Sequence, residues 1–216
     1  VTKLLQRYMD PGDGSILVNG HDLRGVLRSS WQDLIAYIPQ RPQVFDGTLR
    51  DNLLYGLSVE QRAKMDDETI QRYMKLLRIN FGSRLNDGLD TRVGRHGMKL
   101  SGGEAQRVMI GAAALRSPRL MIIDEATSSL DAENQAAVQT GLHQILEGES
   151  SAIIIAHRLS TVLRCDKFVV LRSVDALSNG DPQVEAIAHS PQELYRVSET
   201  FRRLADLEGV RITAEA

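Results

Sequence analysis

The chain has 216 residues, 26 basic and 28 acidic side chains, a formal net charge of −2 and 42% hydrophobic residues. This length allows one domain with a real core, or one domain with a subdomain, and the charge gives no general case for nucleic acid or an anionic membrane surface. The single cysteine, Cys165, excludes an internal disulfide framework and favours a reducing compartment. No apolar run approaches the roughly 20 residues that span a bilayer.

In the N-terminal half, short strands and helices are separated by turn signals. The first residues have helical spacing until Pro11 and Gly12, which end the helix. The remaining elements are, in order, strands over 15–20 and 34–39, a short connecting helix at RSSWQDL (28–34), helical spacing over 48–80 with a loop near Ser58, and a glycine-punctuated connection over 81–99.

The C-terminal half alternates apolar runs with helices. The order is a helix over about 102–116, the run LMIID (120–124), a helix over 131–146, the runs SAIIIAH (151–157) and FVVLRS (168–173), a surface loop over 174–183, and one amphipathic helix over 190–207 that Ser190 caps. Short apolar runs without alternation, separated by helices, indicate strands buried on both faces of a parallel sheet. The sequence therefore predicts an α/β fold.

Polar side chains follow two of these runs at their carboxyl ends, where ligands bind in open parallel sheets. Asp124 could hold Mg²⁺, which prefers oxygen ligands and keeps several waters. Glu125 could polarise a water that attacks a phosphate. His157 ends the next run and could donate a hydrogen bond to a γ-phosphate. A surface acidic pair and a hydrogen-bonded rim histidine are the alternatives.

The helix over 102–116 begins with an unusual sequence, Ser101-Gly102-Gly103-Glu104. Ser101 and Glu104 have the spacing of a capping box, in which each side chain binds the other residue's backbone N–H. The box does not explain the two glycines, each of which costs roughly 1 kcal/mol relative to alanine in a helix. We therefore expect another group to approach this backbone closely.

Four motifs occur together and in order. They are YIPQRPQVFDGTLRDNL (37–53), LSGGEAQR (100–107), LMIIDEATSSLD (120–131) and IIIAHRLSTV (153–162). They resemble the Q-loop, the signature motif, the Walker B motif with its D-loop, and the switch histidine of the ATP-binding cassette (ABC) ATPases. The residues within these motifs resemble those of the exporter branch, in which cassettes are fused to membrane domains.

The resemblance implies a P-loop NTPase (RecA-like) parallel sheet core with an α-helical ABC subdomain over about 48–117, within one nucleotide-binding domain over 1–216. It also implies a role for each matched residue. Gln40 would contact magnesium or the attacking water, Asp124 would bind magnesium, and Glu125 would be the catalytic base. His157 would hold the γ-phosphate, and Asp131 would reach across a dimer interface. The signature contact to a nucleotide in the opposite cassette would be formed by Ser101, Gly102, Gly103 and Glu104.

The implied cofactors are ATP and Mg²⁺, and the implied partners are a second nucleotide-binding domain, identical or not, and the transmembrane domains of a transporter. No nucleic acid is expected. The chain would lie on the cytosolic face of a membrane. The family's phosphate loop, G-x-x-x-x-G-K-[ST], is absent, since no lysine here follows a glycine. We therefore expect a chain truncated just after that loop, which binds ATP weakly and does not hydrolyse it alone.

The sequence departs from the family pattern at three places. Arg95 stands where exporters often have an acidic residue, Ile110-Gly111-Ala112-Ala113 lacks the arginine that usually follows the signature, and VDALSNGDPQVEAIAH replaces the usual tight hairpin after Phe168.

One alternative is a non-transport ABC ATPase that acts on DNA or the ribosome. DNA-repair members would need a long coiled coil, for which the roughly 100 residues before the signature leave no room, whereas members that act on the ribosome carry two cassettes in one chain and stay an alternative. The other is a regulatory cassette that binds nucleotide without hydrolysis; the presence of Glu125 and His157 argues against it.

Overall fold

The computed structural model describes residues 1–126, 132–146, 150–156, 158–173, 177 and 182–212. The chain forms two compact units, Val1–Ile155 and Ala156–Ala216, called here the first and second units. Among the described residues, no helix combines the length and the apolarity that crossing a bilayer requires.

The first unit contains seven strands and seven helices among its described residues. The strands are β1 (Leu17–Val18), β2 (His21–Asp22), β3 (Ile35–Ile38), β4 (Gly47–Thr48), β5 (Arg92–Val93), β6 (Leu120–Asp124) and β7 (Ser151–Ile155). The helices are α1 (Thr2–Leu5), α2 (Arg28–Leu34), α3 (Leu49–Leu53), α4 (Val59–Lys64), α5 (Asp67–Leu76), α6 (Gly102–Leu115) and α7 (Ala132–Leu146), and three short 3₁₀ turns cover Leu23–Gly25, Gly82–Arg84 and Gly88–Asp90.

A three-stranded sheet in the order β3-β6-β7 forms the centre of the first unit. Both strand pairs are parallel, with Ile38 opposite Ile123 and Asp124 opposite Ile155. These are three of the apolar runs that the sequence predicts as strands, so the α/β class with a parallel core is confirmed.

Each face of this sheet packs on its own cluster. Ala36, Ile38, Met121 and Ile123 belong to the larger core, which also holds residues of α3, α5, α6 and α7. On the opposite face, Ile35 and Ile122 pack with Trp31 of α2 and with Leu23. Trp31 is buried and its indole N–H donates to the carbonyl of Leu5 at 2.8 Å, so it is a packing residue of this cluster. Because α2 and α6 lie on opposite faces, both faces of β6 are covered, which explains its unbroken apolar run.

The second unit contains β8 (Phe168–Leu171), β9 (Val184–Ala188), α8 (Leu159–Val162), α9 (Pro191–Val197) and α10 (Glu199–Glu208). β8 pairs with β9 in antiparallel orientation, with Val169 opposite Ile187. The expectation that the run 168–173 belongs to the parallel sheet is therefore wrong. Val169 and Ile187 are both more than half exposed, so the lack of alternation here reflects an apolar outer face rather than burial on two sides.

Two predicted helices also differ in extent. The predicted helix over 190–207 is two helices that meet at Ser198, because the Ser198 side chain accepts from the N–H of Phe201 and donates to Glu185 at 2.7 Å. The N-terminal helix ends at Leu5, well before Pro11, because Arg7 adopts a left-handed backbone with φ of 57°.

Candidate functional site

The carboxyl edge of the parallel sheet brings together Gln40, Asp124 and Glu125. Asp124 is the last residue of β6 and Glu125 follows it, while Gln40 lies two residues beyond β3. Since β3 and β6 are parallel and adjacent, their ends meet at this edge, and the Gln40 amide donates to Glu125 Oε2. The sequence predicts these three residues as one site, and the structure places Gln40 against Glu125.

Glu125 leaves the strand through an uncommon backbone conformation. Its φ of 49° lies in the left-handed region, which side-chain-bearing residues seldom adopt. Its N–H donates to the carbonyl of Ile155 at 2.8 Å, so the turn is fixed against the end of β7. The two neighbouring carboxylates consequently have different partners. Glu125 accepts a hydrogen bond from the amide of Gln40, and Asp124 accepts one from the hydroxyl of Tyr37.

Tyr37 completes the surroundings of Asp124. Its hydroxyl donates to Asp124 Oδ2 at 3.1 Å. Burial, followed by the hydrogen bond to Asp124, raises the pKa of Tyr37, so the hydroxyl keeps its proton as a donor. Sequence patterns do not mark Tyr37 as a site residue. Only the strand register relates it to Asp124, because Tyr37 lies opposite Ile122, which points to the same face as Asp124.

The start of α6 has the predicted capping box. Ser101 Oγ accepts from the N–H of Glu104 at 3.3 Å, and Glu104 Oε2 accepts from the N–H of Ser101 at 2.8 Å. Ser101 and Gly102 are exposed, and Gly103 is half-buried. Free N–H groups and the positive end of the helix dipole make such a helix start suitable for an anion.

Glu104 has a second partner that the sequence does not indicate. Arg84, in the 3₁₀ turn Gly82–Arg84, donates to Glu104 Oε1 at 2.7 Å and to the carbonyl of Lys99 at 2.7 Å. Burial opposes ionisation of Glu104, but the hydrogen bonds from Ser101 and the charge of Arg84 outweigh it and hold the pKa of the carboxyl below its ordinary value. Glu104 is therefore an anion bound within its own chain.

Two further predicted site residues, Asp131 and His157, lie outside the described residues. The donor set that remains at the sheet edge fits Mg²⁺. Asp124 and Gln40 offer carboxylate and amide oxygens, and Mg²⁺ is usually held by one or two carboxylates together with waters and substrate phosphates.

Comparison with known proteins identifies the family. The family model described as "ABC transporter" matches residues 1–128. The chain is 34% identical over 200 residues to the multidrug resistance ABC transporter ATP-binding and permease protein of Lactococcus lactis subsp. cremoris (strain MG1363), covering 92% of this chain and 33% of the relative. It is 37% identical over 178 residues to ABC transporter B family member 17 of Arabidopsis thaliana, covering 82% of this chain and 14% of the relative. The chain thus spans a third or less of these two relatives.

A solved structure agrees. The structure of a bacterial Atm1-family ABC exporter with ATP bound superposes with a TM-score of 0.81 at 29% identity, covering 97% of this chain and 35% of that chain. This match agrees with the P-loop NTPase fold that the motifs imply. The chain therefore belongs to the ABC transporter family, in which it corresponds to the ATP-binding domain of the exporter type.

Proposed function

We propose that this chain supplies half of an ATP-hydrolysing site in an exporter and couples hydrolysis to the movement of a solute across a membrane. The chain would work on the cytosolic face, attached to transmembrane domains, with a second nucleotide-binding domain as its partner. The observation that carries the proposal is the hydrogen bond from Gln40 to Glu125, beside Asp124, at the carboxyl edge of the parallel sheet.

Each residue at the carboxyl edge of the parallel sheet has a separate proposed role. Glu125 accepts a proton from the water whose oxygen attacks the γ-phosphorus, while the bond from that phosphorus to the bridging oxygen breaks. Gln40 holds the Glu125 carboxylate in place from the neighbouring strand. Asp124, oriented by Tyr37, and Gln40 are the groups that would hold Mg²⁺. When bound, this ion neutralises charge on the phosphate oxygens.

The start of α6 has its proposed role at the nucleotide that the partner cassette binds. We propose that Ser101, Gly102 and Gly103, on the helix that Glu104 caps, contact the γ-phosphate of ATP held by the partner cassette. Glycines at this position leave the backbone N–H groups open to a phosphate, and the helix dipole favours its charge. Asp131 and His157 keep their predicted roles at the interface and at the γ-phosphate.

The 216 residues lack the segment that binds most of the triphosphate in P-loop proteins. Backbone N–H groups and a lysine of the phosphate loop supply much of the triphosphate binding in P-loop proteins, and this sequence has no lysine after a glycine. We expect weak ATP binding and no turnover from these residues by themselves. Magnesium-dependent hydrolysis by the purified 216-residue chain would contradict this statement.

The test of the base uses a longer chain that also carries a phosphate-loop segment. In Glu125→Gln the side chain keeps its size but accepts no proton, so we expect ATP binding to persist and hydrolysis to fall at least about 100-fold. Glu133→Gln is the control, because Glu133 lies on α7 with its side chain 83% exposed and paired to Arg78. Hydrolysis in Glu125→Gln at the rate of the control would remove Glu125 from the role of base.

A further inference from the structure

The carboxylate of Glu104 lies at the start of α6, where a γ-phosphate would bind in the proposed function. Glu104 is the third residue of α6, and only 14% of its side chain is exposed. Its pairing with the Ser101 N–H fixes it within the first turn, next to Gly102 and Gly103. An uncompensated anion there is favoured by the helix dipole, but it offsets the positive potential of the helix start and would repel the γ-phosphate.

Arg84 neutralises this carboxylate and also binds a second acceptor with the same guanidinium group. One guanidinium nitrogen binds Glu104 Oε1 and the other binds the carbonyl of Lys99, both at 2.7 Å. The two contacts therefore link Lys99, which precedes α6 in the chain, with the capping carboxylate of Glu104. The planar, two-pronged guanidinium can hold both acceptors at once, whereas an ammonium group provides only a point charge.

We infer that Arg84 is a positioning residue for the phosphate-binding start of α6: it neutralises Glu104 and holds that carboxylate against Ser101, away from the partner's nucleotide. This inference rests on the proposed function, because it assumes that the start of α6 meets a γ-phosphate. Arg84 itself acts through Glu104 and Lys99 and touches no nucleotide.

The chain contains a close match for Arg84 that serves as a control. Arg78 forms an ion pair with Glu133 at 2.8 Å and its side chain is 49% exposed, while Arg84 pairs with Glu104 at 2.7 Å and is 46% exposed. Arg84→Gln and Arg78→Gln therefore remove arginines of similar exposure from ion pairs of similar length, although the partner carboxylates differ, since Glu133 is 83% exposed and Glu104 is 14% exposed. Only the first removes a charge beside the α6 capping box.

The first measurement is ATP-driven association of the longer exporter chain in a non-hydrolysing Glu125→Gln background. We expect Arg84→Gln to raise the ATP concentration for half-maximal dimer about fivefold to tenfold, Arg84→Lys to recover part of the loss, and Arg78→Gln to leave the value unchanged. ADP binding stays the same in all variants, because ADP has no γ-phosphate. An equal weakening of ATP and ADP would indicate a general loss of structure and overturn the inference.

A second variant tests whether charge is the reason. With Glu104→Gln already present, there is no carboxylate to neutralise, so most of the effect of Arg84→Gln should disappear. An effect of undiminished size in that background would contradict the inference.

Amide exchange in the 216-residue chain separates this inference from the proposed function, because it needs no nucleotide. We expect the Ser101 N–H to exchange about threefold faster in Arg84→Gln than in Arg78→Gln, with Ile110 in mid-helix as the internal reference. Unchanged exchange at Ser101 would overturn the positioning role. Absence of ATP-driven dimers in the unaltered chain, with exchange as expected, would instead count against the proposed function.

Discussion

Replacing Glu125 by glycine and by alanine separates the cost of its backbone from the contacts of its side chain. Both variants lose the carboxylate and its hydrogen bond to Gln40, so these losses cancel when the two are compared. They differ in the backbone, because alanine must still adopt the left-handed φ of 49° and glycine adopts it freely.

The size of the difference follows from general values. The left-handed conformation costs an L-residue roughly 1–2 kcal/mol, and glycine gives back roughly 0.4–1 kcal/mol through the larger entropy of its unfolded chain. We therefore expect Glu125→Gly to be more stable than Glu125→Ala by about 0.5–1 kcal/mol. At an ordinary helical position the order is reversed, and Ala136→Gly on the exposed side of α7 should lose about 1 kcal/mol.

Urea denaturation followed by tryptophan fluorescence measures this difference in the first unit. Trp31 is the only tryptophan in the sequence and packs against Ile122 of the central sheet, so its signal reports the unit that contains Glu125. If Glu125→Ala proved as stable as Glu125→Gly, the strained turn would not exist in solution. The geometry that separates Glu125 from Asp124 would then need another explanation.

Two further predictions concern close packing and an unpaired buried amide. A methyl group at Gly141 would lie 2.4 Å from the backbone oxygen of Leu76, whereas one at Gly111 meets the movable end of Ile79 at 2.9 Å. Gly141→Ala should therefore lower the free energy of unfolding by about 1–3 kcal/mol and Gly111→Ala by clearly less, and equal losses in urea titrations would contradict this. Gln106 is fully buried, and neither amide atom has a partner among the described residues, so Gln106→Met should be neutral or stabilise by about 1 kcal/mol in calorimetry; a large loss would reveal a partner for the amide.

The parts of the fold that depend on local sequence could be predicted. The runs 120–124 and 151–155 are short and apolar, which predicts strands; β6 is covered on both faces, whereas the residues of β7 are half-buried or exposed. Ser101 begins α6 because its cap partner, Glu104, lies three residues away in sequence. Gln40 and Glu125 could be placed together once the strands were known to be parallel and adjacent.

The parts that depend on distant partners could not be predicted. β8 pairs antiparallel with β9 across residues 172–183, and although Asn179-Gly180 in that segment is a turn signal, a connection of this length does not determine which strands pair. Ser198 breaks the last helix because Glu185, 13 residues earlier, binds its hydroxyl. Arg84 lies 20 residues before Glu104, and nothing in its neighbourhood predicts that contact.

The same limit applied to Tyr37, whose hydroxyl meets Asp124 across 87 positions of sequence. Strand register brings these two side chains to one face, and register follows from pairing rather than from composition. Residues that position a site are therefore harder to find in one sequence than residues that form its motif.

In the proposed assembly, Gly102 and Gly103 face the γ-phosphate of ATP bound to another cassette. Paramagnetic broadening can detect this contact when the isotope-labelled 216-residue chain is mixed with an unlabelled cassette that carries a phosphate loop, with Mn²⁺ in place of Mg²⁺. Because the labelled chain has no phosphate loop and is expected to bind ATP only weakly, nucleotide at a concentration that just saturates the partner is bound by the partner. We expect the amide signals of Gly102 and Gly103 to broaden with ATP and to remain sharp with ADP. Sharp signals while the partner is saturated with ATP would contradict the account.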